Sequence, residues 1–196
     1  NAAFHDAPRD PMAIKSTVHK AALQIADMDR GVYADRSVTI ARHPSETDER
    51  MMVRVLAFAL NAHERLEFGK GLSSDDEPDL WLKDLTGAIE CWIDVGLPDE
   101  RRVRRACGRA ARVLIYLYGG RTADMWWEAN RGKLERVDNL AVFSLPPELT
   151  RQLATLAERT MLLQATIDDG SAWLLAGEVT LQADPVRLME FAPTAR

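Results

Sequence analysis

Apolar residues recur along this chain with two different periods. The runs Thr17–Ala26 and Arg36–Arg42 alternate as strands do, and Asp27-Met28-Asp29-Arg30-Gly31 between them supplies turn-forming residues, which predicts a long hairpin. The period then lengthens. Met51, Met52, Val55, Leu56, Ala59 and Leu60 repeat at about 3.6 residues, which predicts a helix over 45–64. Ser45 with Asp48 resembles a capping box at its start, where acids suit the positive end of the helix. On this wheel Met52, Leu56 and Ala59 are buried, Glu49 flanks the apolar stripe, and Glu46 points toward solvent.

The next segment is rich in short strands. Residues 66–72 alternate weakly, 73–78 form a polar acidic loop, 79–83 read as a short strand and 84–87 as a turn. The strand 88–95 has the sharpest alternation. Ile89, Cys91, Ile93 and Val95 form one face, and Glu90, Trp92 and Asp94 the other. Leu97-Pro98-Asp99-Glu100 opens a second helix, with Val103, Ala106, Cys107 and Ala110 as its buried stripe. The unbroken apolar run 113–118 has the pattern of a strand covered on both faces. A helix over 122–130, a strand over 140–145 and a helix over 147–159 follow. Asp168-Asp169-Gly170 then joins strands 160–167 and 171–175 in a second hairpin.

Composition narrows the picture further. The chain has 196 residues, of which 46% are hydrophobic and 28% charged, as expected of one folded domain with a core. Residues 1–11 are polar and aperiodic and read as a tag or disordered arm, residues 12–190 as a single domain, and 191–196 as a tail. No apolar stretch is long enough to span a bilayer and no secretory leader is visible. Cys91 and Cys107 both sit in apolar patterns, which favours two reduced thiols over a disulfide and suggests a cytoplasmic location. A net charge of -5 excludes a global basic field, so any contact with nucleic acid needs a local basic patch.

Several stretches resemble the YaeQ family of bacterial proteins. They are Ala41-Arg42-His43-Pro44-Ser45-Glu46-Thr47 with Glu49-Arg50-Met51-Met52, Asp75-Asp76-Glu77-Pro78, Gly96-Leu97-Pro98-Asp99-Glu100-Arg101-Arg102, Arg159-Thr160-Met161 and Leu163-Gln164-Ala165-Thr166-Ile167. The likeness runs from about Met12 to Asp184. It implies a restriction-endonuclease-like fold of the PD-(D/E)XK superfamily. That is an α/β (α+β) mixed sheet with an αβββαβ core, here extended by an N-terminal and a C-terminal hairpin. It implies no settled activity.

Nucleases of that superfamily place an Asp at the start of the second core strand. An acid and a Lys lie two residues apart on the third. Carboxylates there hold Mg²⁺ or Mn²⁺, and the metal activates water against a phosphodiester. By resemblance, Pro78-Asp79 matches the first element and Glu90 the second, while Trp92 stands at the Lys position. That match makes Asp79 and Glu90 candidate metal ligands, and Asp94, on the same strand face as Glu90, is a third. Glu49 is an outer acid, and Arg105, Arg101, Arg102 and Lys83 are the candidates for a basic group in place of the lost Lys. Five arginines in nine residues, among them Arg101, Arg102 and Arg105, form a candidate nucleic-acid contact. The bland alternatives are a solvated strand face with two acids and a solvated helix with an i, i+4 pair of Glu100 and Arg104. His43 reads as a loop or capping histidine, and Trp126-Trp127 as one buried and one half-exposed ring. Two functions remain open: a metal-dependent phosphodiester hydrolase on nucleic acid, and a non-catalytic binding or regulatory protein on a degenerate nuclease fold.

Overall fold

A computed structural model of the chain describes residues 16–70 and 76–192; the expected arm, 1–11, lies outside them, as does part of the acidic loop. The first hairpin forms as the alternation predicts, from β1 (Thr17–Asp27) and β2 (Val32–Arg42). Helix α1 covers Asp48–Leu60. Its cap is Thr47, whose hydroxyl accepts from the Arg50 N–H, and not Ser45. The shift has a local cause. Residues 43–46 close a turn, with the Glu46 N–H donating to the His43 carbonyl, and that turn carries the Glu46 side chain inward.

The middle of the chain builds β3 (Leu66–Phe68), β4 (Leu80–Lys83), β5 (Ile89–Val95), α2 (Glu100–Cys107), β6 (Ala110–Leu117), α3 (Arg121–Leu134) and β7 (Leu140–Ser144). Helix α4 (Pro147–Ala154) ends five residues earlier than the pattern suggested. Strands β8 (Thr160–Asp168) and β9 (Ser171–Ala176) form the second hairpin, with Asp169 and Gly170 both at positive φ as a tight primed turn requires. Two short strands, β10 (Val179–Gln182) and β11 (Val186–Met189), carry too few residues to show a period.

The hairpins do not extend one sheet. They join each other in a separate five-stranded sheet, in the order β10-β9-β8-β1-β2, while the middle of the chain forms a six-stranded sheet, β11-β7-β6-β5-β4-β3. Both are mixed, because β1 runs parallel to β8, and β5, β6 and β7 run parallel to one another. Helix α1 explains the division. Met51 through Ala59 are buried without a break, so its stripe is not one-sided, and a helix apolar all round must be covered on both flanks. It contacts β1 on one side and β5 on the other, with α4 beside it. Leu23, Ile25, Met161 and Leu163 of the first sheet share a core with α1 and with Cys91, Ile93, Leu114 and Tyr116 of the second. The opposite face of the second sheet holds a separate core under α2 and α3, made of Trp92, Val103, Ala106, Val113 and Ile115 with their neighbours.

Cys91 and Cys107 pack in these two different cores and are both free thiols. Burial pushes each thiol up to about 11. At pH 8 only about one in a thousand is then a thiolate, the reactive form. Native protein is expected to react slowly with Ellman's reagent at pH 8 and to release two equivalents once unfolded in guanidinium. Rapid reaction of the folded chain contradicts the packing.

Candidate functional site

The acids converge at the carboxyl end of β5, where β4 begins. In the antiparallel register Leu80 faces Ile93, so Asp79 comes beside Asp94, and the Asp79 N–H lies 3.4 Å from Asp94 Oδ1. The Val95 N–H donates to Asp79 Oδ2 at 2.8 Å. Gly69 closes over this corner. Its N–H donates to the Asp79 carbonyl, and a Cβ at that position would collide with the Pro78 carbonyl oxygen.

Guanidinium groups clamp the pair from both faces of the sheet. Arg50 of α1 donates from Nη2 to both Asp79 oxygens, at 2.8 and 2.9 Å, and from Nη1 to Glu46 Oε1 at 3.0 Å. Arg54, one turn further on and fully buried, donates to both Glu46 oxygens at 2.8 and 2.7 Å. Arg102 of α2 grips both Asp94 oxygens at 2.8 and 2.9 Å and also reaches the Glu77 carbonyl. Three carboxylates, those of Glu46, Asp79 and Asp94, therefore meet three guanidiniums, those of Arg50, Arg54 and Arg102. Burial raises the Asp79 pKa above its ordinary value; Arg50 counters the rise and Asp94 adds to it. For Arg50, burial pulls downward, but Asp79 and Glu46 outweigh it and the net shift is upward. Tyr118, half-buried beside the cluster, is pushed up to about 12 by burial, so its hydroxyl stays protonated.

The other expected site residues lie apart. Glu90 accepts from Arg65 at 3.0 Å and is four positions before Asp94 on β5, roughly 13 Å away at strand rise. Asp79 thus finds Asp94 as its neighbour, with Glu90 toward the other end of the strand. Glu49 accepts from the Thr150 hydroxyl at 2.6 Å and ties α1 to α4. Arg105 is exposed and forms a 3.5 Å ion pair with exposed Asp76, and Arg101 points outward from the same helix. His43 bonds Ser45 in the turn before α1. Trp126 and Trp127 are both half-buried on α3, with the Trp126 N–H on the Pro98 carbonyl.

Two expectations are corrected. Glu46 is 2% exposed and turns inward, because Arg54 on the buried helix needs its charge. The face of β5 that carries Trp92 is neither solvated nor an open cleft. Helix α2 crosses over it on the way to parallel β6, Trp92 is 1% exposed, and the Arg102 and Arg109 guanidiniums lie 5.8 and 5.3 Å from its ring centre. Arg50, Arg54 and Tyr118 do not stand out in the sequence as site residues. One signal was present: an arginine at 54 inside a run of buried apolar positions requires an acid partner.

Fold and site together define an α+β protein of two mixed sheets around a buried helix, with a salt-bridged acidic cluster at a strand end. The chain belongs to the YaeQ protein family, whose sequence profile matches residues 12–185. It is 49% identical over 163 residues to the uncharacterized protein YaeQ of Escherichia coli strain K12, covering 83% of this chain and 90% of that protein. The crystal structure of the YaeQ protein from Xanthomonas axonopodis pv. citri superposes with a TM-score of 0.86 at 49% identity, over 91% of this chain and all of that one. The YaeQ protein from Pseudomonas syringae superposes with the same score at 35% identity, over 89% and 97%. Among the described residues, no helix is long and apolar enough to cross a membrane.

Proposed function

We propose that this chain is a non-catalytic binding protein on a PD-(D/E)XK-like core, and that its arginine-bearing α2 face engages phosphate groups of nucleic acid. The observation that carries this reading is the charge balance of the acid cluster: each buried carboxylate already has a guanidinium partner. A Mg²⁺ or Mn²⁺ ion needs carboxylate oxygens free to bind it. Asp79 and Asp94 are both gripped at two oxygens, and among the described residues no three His, Cys, Asp or Glu side chains are grouped to hold a metal. Two residues beyond Asp94 stands Gly96, so that position supplies no lysine either. The donor set does not fit a catalytic metal. Arg101 and Arg105, exposed on α2, are the groups through which a phosphate backbone is met.

A second reading, the metal-dependent phosphodiester hydrolase, is favoured by one observation: Asp79 and Asp94 are adjacent on neighbouring strands. One experiment separates the two. Purified protein is incubated with labelled DNA and RNA in Mg²⁺ and in Mn²⁺, and binding is followed by fluorescence anisotropy against salt. No cleavage is expected. Binding should weaken with salt, and Arg101→Gln and Arg105→Gln should each lower the logarithmic salt slope by about 0.9 for every phosphate left without its guanidinium. Metal-dependent cleavage that disappears in Asp79→Asn and Asp94→Asn establishes the hydrolase instead. Absence of both cleavage and binding removes nucleic acid as the ligand.

A further inference from the structure

The amino end of β5, on the face opposite Trp92, opens into a cleft of about 400 Å³ between the second sheet and the loops joining it to the first. The volume is in the range of small-molecule sites. Its floor is apolar: Leu82, Cys91 and Leu114 are the most exposed members of the main core there, at 9%, 6% and 8%, and the Phe143 ring forms one side. Its charged lining is of one sign. Arg30, Arg112 and Arg187 border the cleft, and among the described residues no Asp or Glu does. Arg30 is held by Asp27 and Arg187 by Glu190. Arg112 has no hydrogen bond or ion pair among the described residues. It is the register partner of Cys91 and stands directly over the apolar floor. An exposed guanidinium beside a concave apolar surface complements a ligand that carries both a negative group and an apolar body.

We propose that this cleft binds a small amphipathic carboxylate, its carboxylate on Arg112 and Arg187 and its apolar body against Leu114, Cys91 and Phe143. The site is independent of the acid cluster, which lies at the other end of β5 and is closed from both faces of the sheet by Arg50 and Arg102.

The test uses the whole chain with the fluorescent probe 8-anilinonaphthalene-1-sulfonate, whose anionic group and flat apolar rings match the cleft. Saturable binding at one site per chain is expected. Octanoate should displace the probe, and inorganic phosphate should not. Arg112→Gln and Arg187→Gln replace exposed side chains and should leave the melting curve unchanged. Each should weaken the probe by about tenfold, as removal of one charge-assisted hydrogen bond does. Three results overturn the proposal: no saturable binding, unchanged affinity in the double variant, or displacement by phosphate without displacement by octanoate. The last would mark a simple anion site with no use for the apolar floor.

Discussion

Arg54→Ala is expected to destabilise the fold by about 3–5 kcal/mol, because it leaves a buried acid without its principal partner. Arg54 is fully buried, donates twice to Glu46 and once to the Ala41 carbonyl, and lies 5.8 Å from the Phe68 ring centre. The carboxylate of Glu46, itself 2% exposed, then keeps the bond from Arg50 alone among the described residues. The loss comes from desolvated charge, so a variant that removes both charges should recover much of it. Arg54→Met with Glu46→Gln keeps comparable volume and takes both ions out of the interior. Urea denaturation of wild type, single and double variants measures the coupling. A single-variant loss under about 1 kcal/mol, the value of a surface pair, would show that water reaches Glu46.

Trp92→Ala should cost a similar amount, about 3–5 kcal/mol, through the cavity it opens in the core beneath α2. The indole is 1% exposed, and among the described residues its buried N–H has no partner, so packing and the two overlying guanidiniums hold it. Trp92→Phe keeps a ring and removes the unpaired donor, and it should cost less. Trp92→Lys tests the nuclease expectation directly. A lysine there faces the interior below α2 and not a catalytic cleft, so loss of stability and no gain of metal-dependent cleavage are expected. A stable, cleaving Trp92→Lys protein would refute the placement. Thermal melting with the cleavage assay reads both outcomes.

Much of the secondary structure was legible because its signals are local. Period-two alternation set β1, β8 and β9, helical spacing set α1 and α2, and Asp168-Asp169-Gly170 set its turn. What was not legible depends on which layers meet. The stripe of α1 was read as one-sided from its strongest apolar residues, yet Val53 and Ala57 close the other side, and this is what divides the strands between two sheets. Likewise the alternation of β5 separates two faces correctly but does not say what covers each. Only α2 passing overhead makes Trp92 a core residue and Asp94 an ion-pair partner. The site was half visible: the strand expected at 79–83 begins at Leu80, with Asp79 immediately before it. Its neighbour is fixed by the cross-strand register, which brings Asp94 alongside where sequence matching had favoured Glu90.

The parallel pairing of β1 with β8 also orders events on the ribosome. Lys20 meets Thr160 and Asp27 meets Ile167, about 140 residues later in the chain. At usual elongation rates, on the order of 10 s separates the emergence of the two strands. During that interval the six-stranded sheet can pair most of its strands, whereas the first hairpin waits with one edge of β1 open to any other strand that approaches. Nascent chains stalled before β8 are therefore the species most in need of a chaperone, and chains truncated between β7 and β8 should aggregate in place of giving a shortened soluble product.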